Sequence, residues 1–335
     1  MMAFTVIRKG FAASVQDLGR PGYQRFGIIV GGVMDPPSAK LANWLVANPS
    51  PAAVVEYSFI GPTVLFTEDT LFAITGADCQ PQLDNRAVGT GRPYLARAGQ
   101  ILSIGGLSSG SRGYLALAGG IDTVPWLGSR STYERAGLGG FKGRFLKEQD
   151  RLPVGRPSPL AAGVMKGLAS EPAPGGCFFS LRRSYRGIRT IRVTSDRLWP
   201  RFSADSRRQF LHSVYRVTAS SDRMGYRLEG ANLVLDRPLE LYSEAVTNGS
   251  VQVPRSGQPI ILMTDHQSTG GYPRIAQVAA VDLPLLSQLP PGSMLRFQKI
   301  PVLQAEKLFL KQAEELAFLQ RRVTRRLENL RTGRH

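Results

Sequence analysis

Cysteine and histidine are both scarce in this chain of 335 residues, with two of the first and three of the second. Cys79 and Cys177 stand far apart and outside any CxxC spacing, which excludes a disulfide framework and a structural zinc site. His335 is terminal and His212 sits in a basic, polar stretch, so only His266 has a motif-like setting. No metal ion is expected. No apolar run reaches the roughly 18 residues that a membrane-spanning helix needs. The segment Met1 to Gly10 shows no apolar core with a small-residue cleavage site, so the expected location is cytoplasmic and reducing. Phosphate-loop GxxxxGK[ST], HExxH and GxSxG patterns are missing. Ser129 is a near-miss for a nucleophile, and a Ser/His/Asp triad on His266 has no further support.

Apolar residues make up 42% and charged residues 20%, with 36 glycines and 23 prolines. That composition fits a turn-rich globular chain with a sizeable core. The 42 basic residues against 25 acidic ones give a net charge of +17. The excess is uneven: residues 181–335 carry 25 basic and 13 acidic residues, and residues 1–180 carry 17 and 12. Two clusters dominate, from Arg182 to Arg208 and in the tail at Arg321, Arg322, Arg325, Arg326, Arg331 and Arg334. No RNP-type aromatics or zinc-finger spacing accompany them, so nucleic acid is not the expected partner. Small anionic substrates or an acidic protein surface fit better.

Alternation predicts short strands through most of the chain. Phe4–Ile7, Val64–Thr67, Leu71–Gly76, Gln100–Gly105 and Gly113–Gly119 read as strands, the second and third as a hairpin across Glu68-Asp69. One helix interrupts them, Pro37 to Ala47, with Asp35 placed to cap it and Asn48-Pro49 to end it. Residues 153–186 hold several prolines and little periodicity, which suggests a linker. Strands resume at Arg189–Val193, Ser213–Val217, Ser250–Val253, Pro259–Met263 and Met294–Phe297. Many short strands punctuated by glycine predict a sandwich or barrel. From Pro301 the period changes. Phe309, Ala313, Leu316, Leu319, Val323, Leu327 and Leu330 form one stripe of a long helix. That stripe could lie on its own domain or meet a second copy through residues 303–330.

Three runs could carry chemistry. The first, Thr264-Asp265-His266-Gln267-Ser268-Thr269-Gly270-Gly271-Tyr272-Pro273-Arg274, follows an apolar strand. Asp265 and His266 could exchange a proton near neutral pH, and Gly270-Gly271 could bring backbone N–H groups to a developing oxyanion. A tight turn whose polar residues bond their own backbone explains the same letters. In the second, Ser220 to Gly230, Asp222 beside Arg223 could fork a carboxylate, or be a surface salt bridge. The third joins Arg130, in Gly128–Tyr133, to the loop Ala136–Gly140. Asp78 ends a strand at Thr75-Gly76-Ala77-Asp78.

Taken with Val15-Gln16-Asp17-Leu18-Gly19-Arg20-Pro21-Gly22, Met34-Asp35-Pro36, Ala118-Gly119-Gly120-Ile121-Asp122, Leu127–Tyr133 and Gly249–Pro254, these runs resemble the biotin-dependent carboxyltransferase family. The family is also called KipA or allophanate hydrolase subunit 2, and its branch of C-type 5-oxoprolinase subunits is the most similar. The resemblance spans roughly residues 4–300. It implies a mainly β fold of two cyclophilin-like β-barrel domains, over 1–152 and 187–300, with the linker 153–186 between them. An amphipathic Arg-rich helix and tail would follow over 301–335. It further implies an enzyme component that works with a KipI-like B-type subunit and an A-type subunit, using ATP to open 5-oxoproline to L-glutamate. One alternative is a carboxyltransferase for urea or a related amide. Val164-Met165-Lys166-Gly167 lacks the flanking strands of a biotinylation site, so any biotin would be carried by another chain. A second alternative is a non-enzymatic KipA-type regulator that binds a KipI-like partner. Residue type and motif position then suggest Asp265, His266, Gly270 and Gly271 as catalytic, and Arg130, Asp222, Arg223, Thr269, Tyr272 and Asp78 as substrate-binding. Relatives commonly differ at 31–33, 148–150 and 195–202.

Overall fold

A computed structural model describes residues 3–170, 179–181, 185 and 187–332; Cys177, Arg182, Arg334, His335 and part of the expected linker lie outside the described residues. The chain divides into two units, Met1–Arg20 with Asp35–Arg182 and Glu315–His335, and Pro21–Met34 with Arg183–Glu314. Among the described residues no helix is long and apolar enough to cross a membrane.

The first unit is organised around one long strand. Two strands were expected over 100–105 and 113–119, but the chain runs unbroken from Ile101 to Leu117. Gly105 and Gly110 take φ values of 73° and 88°, which let the strand bend without ending. Its first half pairs with Ile60–Phe66 and its second half with Val54–Ser58 and Thr70–Cys79. The expected hairpin across Glu68-Asp69 does not form, because its two arms pair with opposite halves of this strand. Asp69 instead grips the 97–98 turn, accepting from Arg97 Nη1 at 2.7 Å and from the Ala98 N–H at 3.0 Å.

The resulting ten-stranded sheet does not close. Its order runs from Arg151–Pro153 at one end to Ser14–Gln16 at the other. The expectation of two closed barrels is therefore corrected: this unit is an open half-barrel. The physical reason lies at the Ser14–Gln16 edge, where a loop takes the place of a closing strand. The Thr132 N–H donates to Val15 O at 2.9 Å, and Gln16 Nε2 donates to Thr132 O at 3.3 Å. Phe4, Val6, Val55, Phe66, Phe72, Leu102 and Leu115 fill the core.

Helix Pro36–Leu45 starts as expected. Asp35 accepts from the Ser38 N–H at 3.2 Å and from Ser38 Oγ at 2.7 Å, and the prolines occupy the first helical positions, where no backbone donor is needed. It ends two residues before Ala47, which takes φ 55°.

The second unit does close. Seven strands, Arg189–Ser195, Arg274–Val278, Ser250–Gln252, Ile260–Leu262, Gly225–Glu229, Tyr215–Val217 and Met294–Lys299, form a barrel in that order. The parallel pairing of Arg189–Val193 with Leu295–Lys299 completes the ring. Helix Ala204–His212 is capped by Ser203 Oγ, which accepts from the Ser206 N–H at 3.0 Å. It delivers Phe210 onto Phe297, with ring centroids 4.3 Å apart. Such burial supplies most of the driving force for the unit.

Helix Val302–Thr332 matches the expected period, and its apolar stripe is buried only toward its C-terminal end. Only Val323, Leu327 and Leu330 of the stripe are buried, whereas Phe309 is exposed. The buried end meets helix Pro159–Ser170, where Gly167 faces the Leu330 carbonyl and a Cβ on Gly163 would lie 2.5 Å from Arg331 Cγ. Lys166 lies on that same helix rather than between strands.

Candidate functional site

Strand Ile260–Leu262 of the barrel delivers the chain into a buried turn. Thr264, Asp265 and His266 are each less than a tenth exposed. Arg223 Nε and Nη2 donate to the two Asp265 oxygens at 2.7 and 2.9 Å, and the same Nη2 reaches Gly32 O at 2.6 Å. The Asp265 N–H returns a bond to Arg223 O at 2.8 Å. This fork fixes the turn. It also commits Asp265 to a cation of the chain itself, rather than to His266.

His266 Nδ1 lies 2.6 Å from Gln267 O. A carbonyl only accepts, so Nδ1 carries the hydrogen and Nε2 presents a lone pair. Burial lowers the His266 pKa, opposed by the Gln267 carbonyl and by the Asp265 charge. The ring is therefore neutral at pH 7, the state a general base needs.

Thr269–Gly270 pairs with Glu244–Ala245 as a small two-stranded sheet. Arg274 holds the pair, donating to Ala245 O at 2.8 Å, to Glu244 at 3.2 Å and to Asp196 at 3.1 Å. Gly270 has an ordinary backbone conformation, and a larger residue there would have to displace the end of a glutamine side chain. A Cβ there would stand 2.5 Å from Gln252 Nε2 and 3.5 Å from Gln267 Nε2. Gly271 has no such constraint, its nearest neighbour being Ser243 Oγ at 3.6 Å. Thr269 and Tyr272 are exposed.

Gln252 is the residue that sequence reasoning missed. It is 1% exposed, yet its Nε2 has no hydrogen-bond partner among the described residues. A buried amide donor left unpaired costs about 1–3 kcal/mol. The strand register shifts between Val251 and Gln252, a bulge of the kind that re-aims a side chain. Only the Gly249–Pro254 motif marked this stretch, and nothing in it singled out the glutamine.

The other expected residues have local roles of their own. Asp222 closes its own turn, accepting from the Met224 and Gly225 N–H groups at 2.8 and 3.2 Å. Asp78 and Arg130 belong to the first unit. Asp78 is exposed near the end of its strand. Arg130 Nη2 pairs with Asp122 at 2.8 Å, while its N–H donates to Asp17 Oδ2 at 2.5 Å.

The family described as "Carboxyltransferase domain, subdomain A and B" matches residues 26–299. The chain belongs to the carboxyltransferase-domain family. Within it, the chain is 40% identical over 305 residues to the C-type subunit of Escherichia coli 5-oxoprolinase, covering 90% of this chain and 93% of that protein. The corresponding protein of Haemophilus influenzae is 38% identical over 296 residues, covering 88% and 91%. These figures make it closely related to the C-type 5-oxoprolinase subunits. Among solved structures, the urea carboxylase of Kluyveromyces lactis superposes with a TM-score of 0.84 at 30% identity. That match covers 95% of this chain but 29% of the longer one, so this carboxyltransferase unit corresponds to one part of a larger polypeptide.

Proposed function

We propose that this chain is the C-type subunit of an ATP-dependent 5-oxoprolinase, opening 5-oxoproline to L-glutamate together with A-type and KipI-like B-type subunits. The observation that carries this reading is the likeness to the Escherichia coli protein over nearly the full length of both chains. The chemistry around Gly270 is consistent with it. As a lactam carbonyl is attacked, its oxygen gains charge, and in this reading the amide donors of Gln252 and Gln267 receive it. On the same reading His266 Nε2 takes a proton from the attacking water and passes it to the lactam nitrogen as the C–N bond breaks, which leaves the carboxyl and amino groups of glutamate. Arg223 and Asp265 hold the turn that carries His266.

ATP supplies the driving force for ring opening. The residues around Gly270 do not fit a triphosphate, since they are amides and a neutral imidazole, with Arg223 committed to Asp265 and Arg274 to Asp196 and Glu244. ATP is therefore assigned to the companion subunits or to a surface shared with them. Lys166, on a helix packed at Gly163 and Gly167, does not fit a biotin carrier either. The superposition on urea carboxylase favours a second reading, carboxyl transfer to urea or a related amide from biotin on another chain.

The test is reconstitution with the companion subunits, followed by assay of 5-oxoproline-dependent ATP hydrolysis beside a urea and biotin-carrier control. Gln252→Leu should lower kcat by about 10²–10³ with an unfolding midpoint no lower than wild type, because it removes a buried amide that has no partner to orphan. Turnover by this chain alone, or turnover only with urea and a biotin carrier, would overturn the 5-oxoprolinase reading.

A further inference from the structure

The first unit contains a cavity of about 340 Å³ that the reading above does not use. This lies at the lower end of the range of small-molecule sites, about 300–1,000 Å³. Pro49 and the backbone at Gly120 form part of its wall. Asn48, also in the lining, locks that wall: its Nδ2 donates to Leu117 O at 2.7 Å and its Oδ1 accepts from the Gly119 N–H at 2.8 Å. A wall tied in this way is pre-organised and needs little reordering to take a ligand.

Three charged side chains line it: Arg130, Arg156 and Asp122. Arg130 Nη2 pairs with Asp122 Oδ1 at 2.8 Å, but its Nε is buried with no hydrogen-bond partner among the described residues. The Arg130 backbone cannot drift, because Asp17 Oδ2 holds its N–H at 2.5 Å. Arg156 is exposed, and no hydrogen bond or ion pair engages it among the described residues. Two guanidinium groups against one carboxylate leave the cavity one positive charge in excess. Planar guanidinium groups match the paired oxygens of a carboxylate or a phosphate.

We propose that this cavity binds a small oxyanion, a carboxylate or phosphate group, with Arg156 as its free cation, Arg130 as its fixed one and Asp122 as the internal competitor. The inference does not depend on the 5-oxoprolinase reading. Its test is calorimetric titration of the full-length chain with inorganic phosphate and, separately, with glutarate, at constant ionic strength. At least one probe should bind saturably at one site, and the probe that binds tells phosphate from carboxylate. Arg156→Ala should weaken that binding tenfold or more, and Asp122→Asn should tighten it several-fold by removing the competing charge. Both positions face solvent, so unchanged thermal unfolding is the folding control. Gln252→Leu, which alters the cluster at Gly270, should leave the titration unchanged, so the two readings can fail separately. Absence of saturable binding by both probes, or binding indifferent to both substitutions, would overturn the proposal.

Discussion

Asp17 in the first unit and Asp265 in the second are buried to the same degree, 9% and 8% exposed, yet they are held in different ways. Asp17 is surrounded by neutral donors. Ser129 Oγ and Ser131 Oγ reach its Oδ1 at 2.6 Å each, with the Gly19 N–H at 2.8 Å and the Arg130 N–H on Oδ2 at 2.5 Å. Asp265 faces one cation, Arg223, in a two-bond fork. The surroundings differ as well. The loop that Asp17 ties down closes off the Ser14–Gln16 edge of the open sheet. The turn that Asp265 ties down leads directly to a neutral imidazole and an unpartnered amide. A saturated carboxylate cluster reads as a structural knot, and a fixed turn beside unsaturated donors reads as a place for a ligand.

The largest effect expected from breaking this contrast is in the second unit. Arg223→Met leaves the Asp265 charge buried without its partner and should cost about 3–5 kcal/mol in urea unfolding. Adding Asp265→Leu should recover much of that loss, because an apolar pair replaces both charges. A double variant no more stable than Arg223→Met would show that the fork acts through its shape and not through its charge. In the first unit the smaller change Asp17→Asn should cost about 2 kcal/mol, since an amide NH₂ set against one of the N–H or O–H donors leaves that donor unpaired. A loss equal to that of Arg223→Met would erase the distinction between a neutral knot and an ion pair.

The same contrast explains what could be read from the letters. Local signals were legible: the cap at Asp35, the period of Val302–Thr332, and the polar turn after Ile260–Leu262. Pairings set by distant partners were not. Nothing near residue 17 announces Ser129 and Ser131, more than a hundred positions away, and the parallel pairing that closes the barrel joins Arg189–Val193 to Leu295–Lys299. The strand Ile101–Leu117 looked like two because its glycines read as turns, whereas they serve as bends. Closure of the first sheet was expected from the resemblance and fails because a loop satisfies the edge. At the candidate site, the histidine and the glycines stood out by residue type. Gln252 did not, since a glutamine in a strand gains meaning only when its buried nitrogen is seen to lack an acceptor.

The finest distinction between the units is their response to pH. Both described histidines, His212 and His266, belong to the second unit, and only His266 is buried. Its lowered pKa means that the folded state favours the neutral ring, while the unfolded chain titrates near 6.5. The unfolded state therefore binds more protons between these two values, and stability rises with pH across that window. The contribution is fully present above about pH 6.5 and is lost as pH falls through the lowered folded value. Activity of the reconstituted complex should follow the same acid limb, since a protonated ring cannot accept the nucleophile's proton. His266→Gln should remove this dependence from the unfolding midpoint measured between about pH 7.5 and 5, a span that brackets histidine's usual range. It should leave the general weakening from carboxylate protonation in place. Amide exchange gives the regional readout: on acidification, protection should fall in residues 260–270 before it falls in residues 129–132. Equal pH slopes for wild type and variant would mean that burial of the imidazole contributes nothing, and the neutral base would lose its physical support.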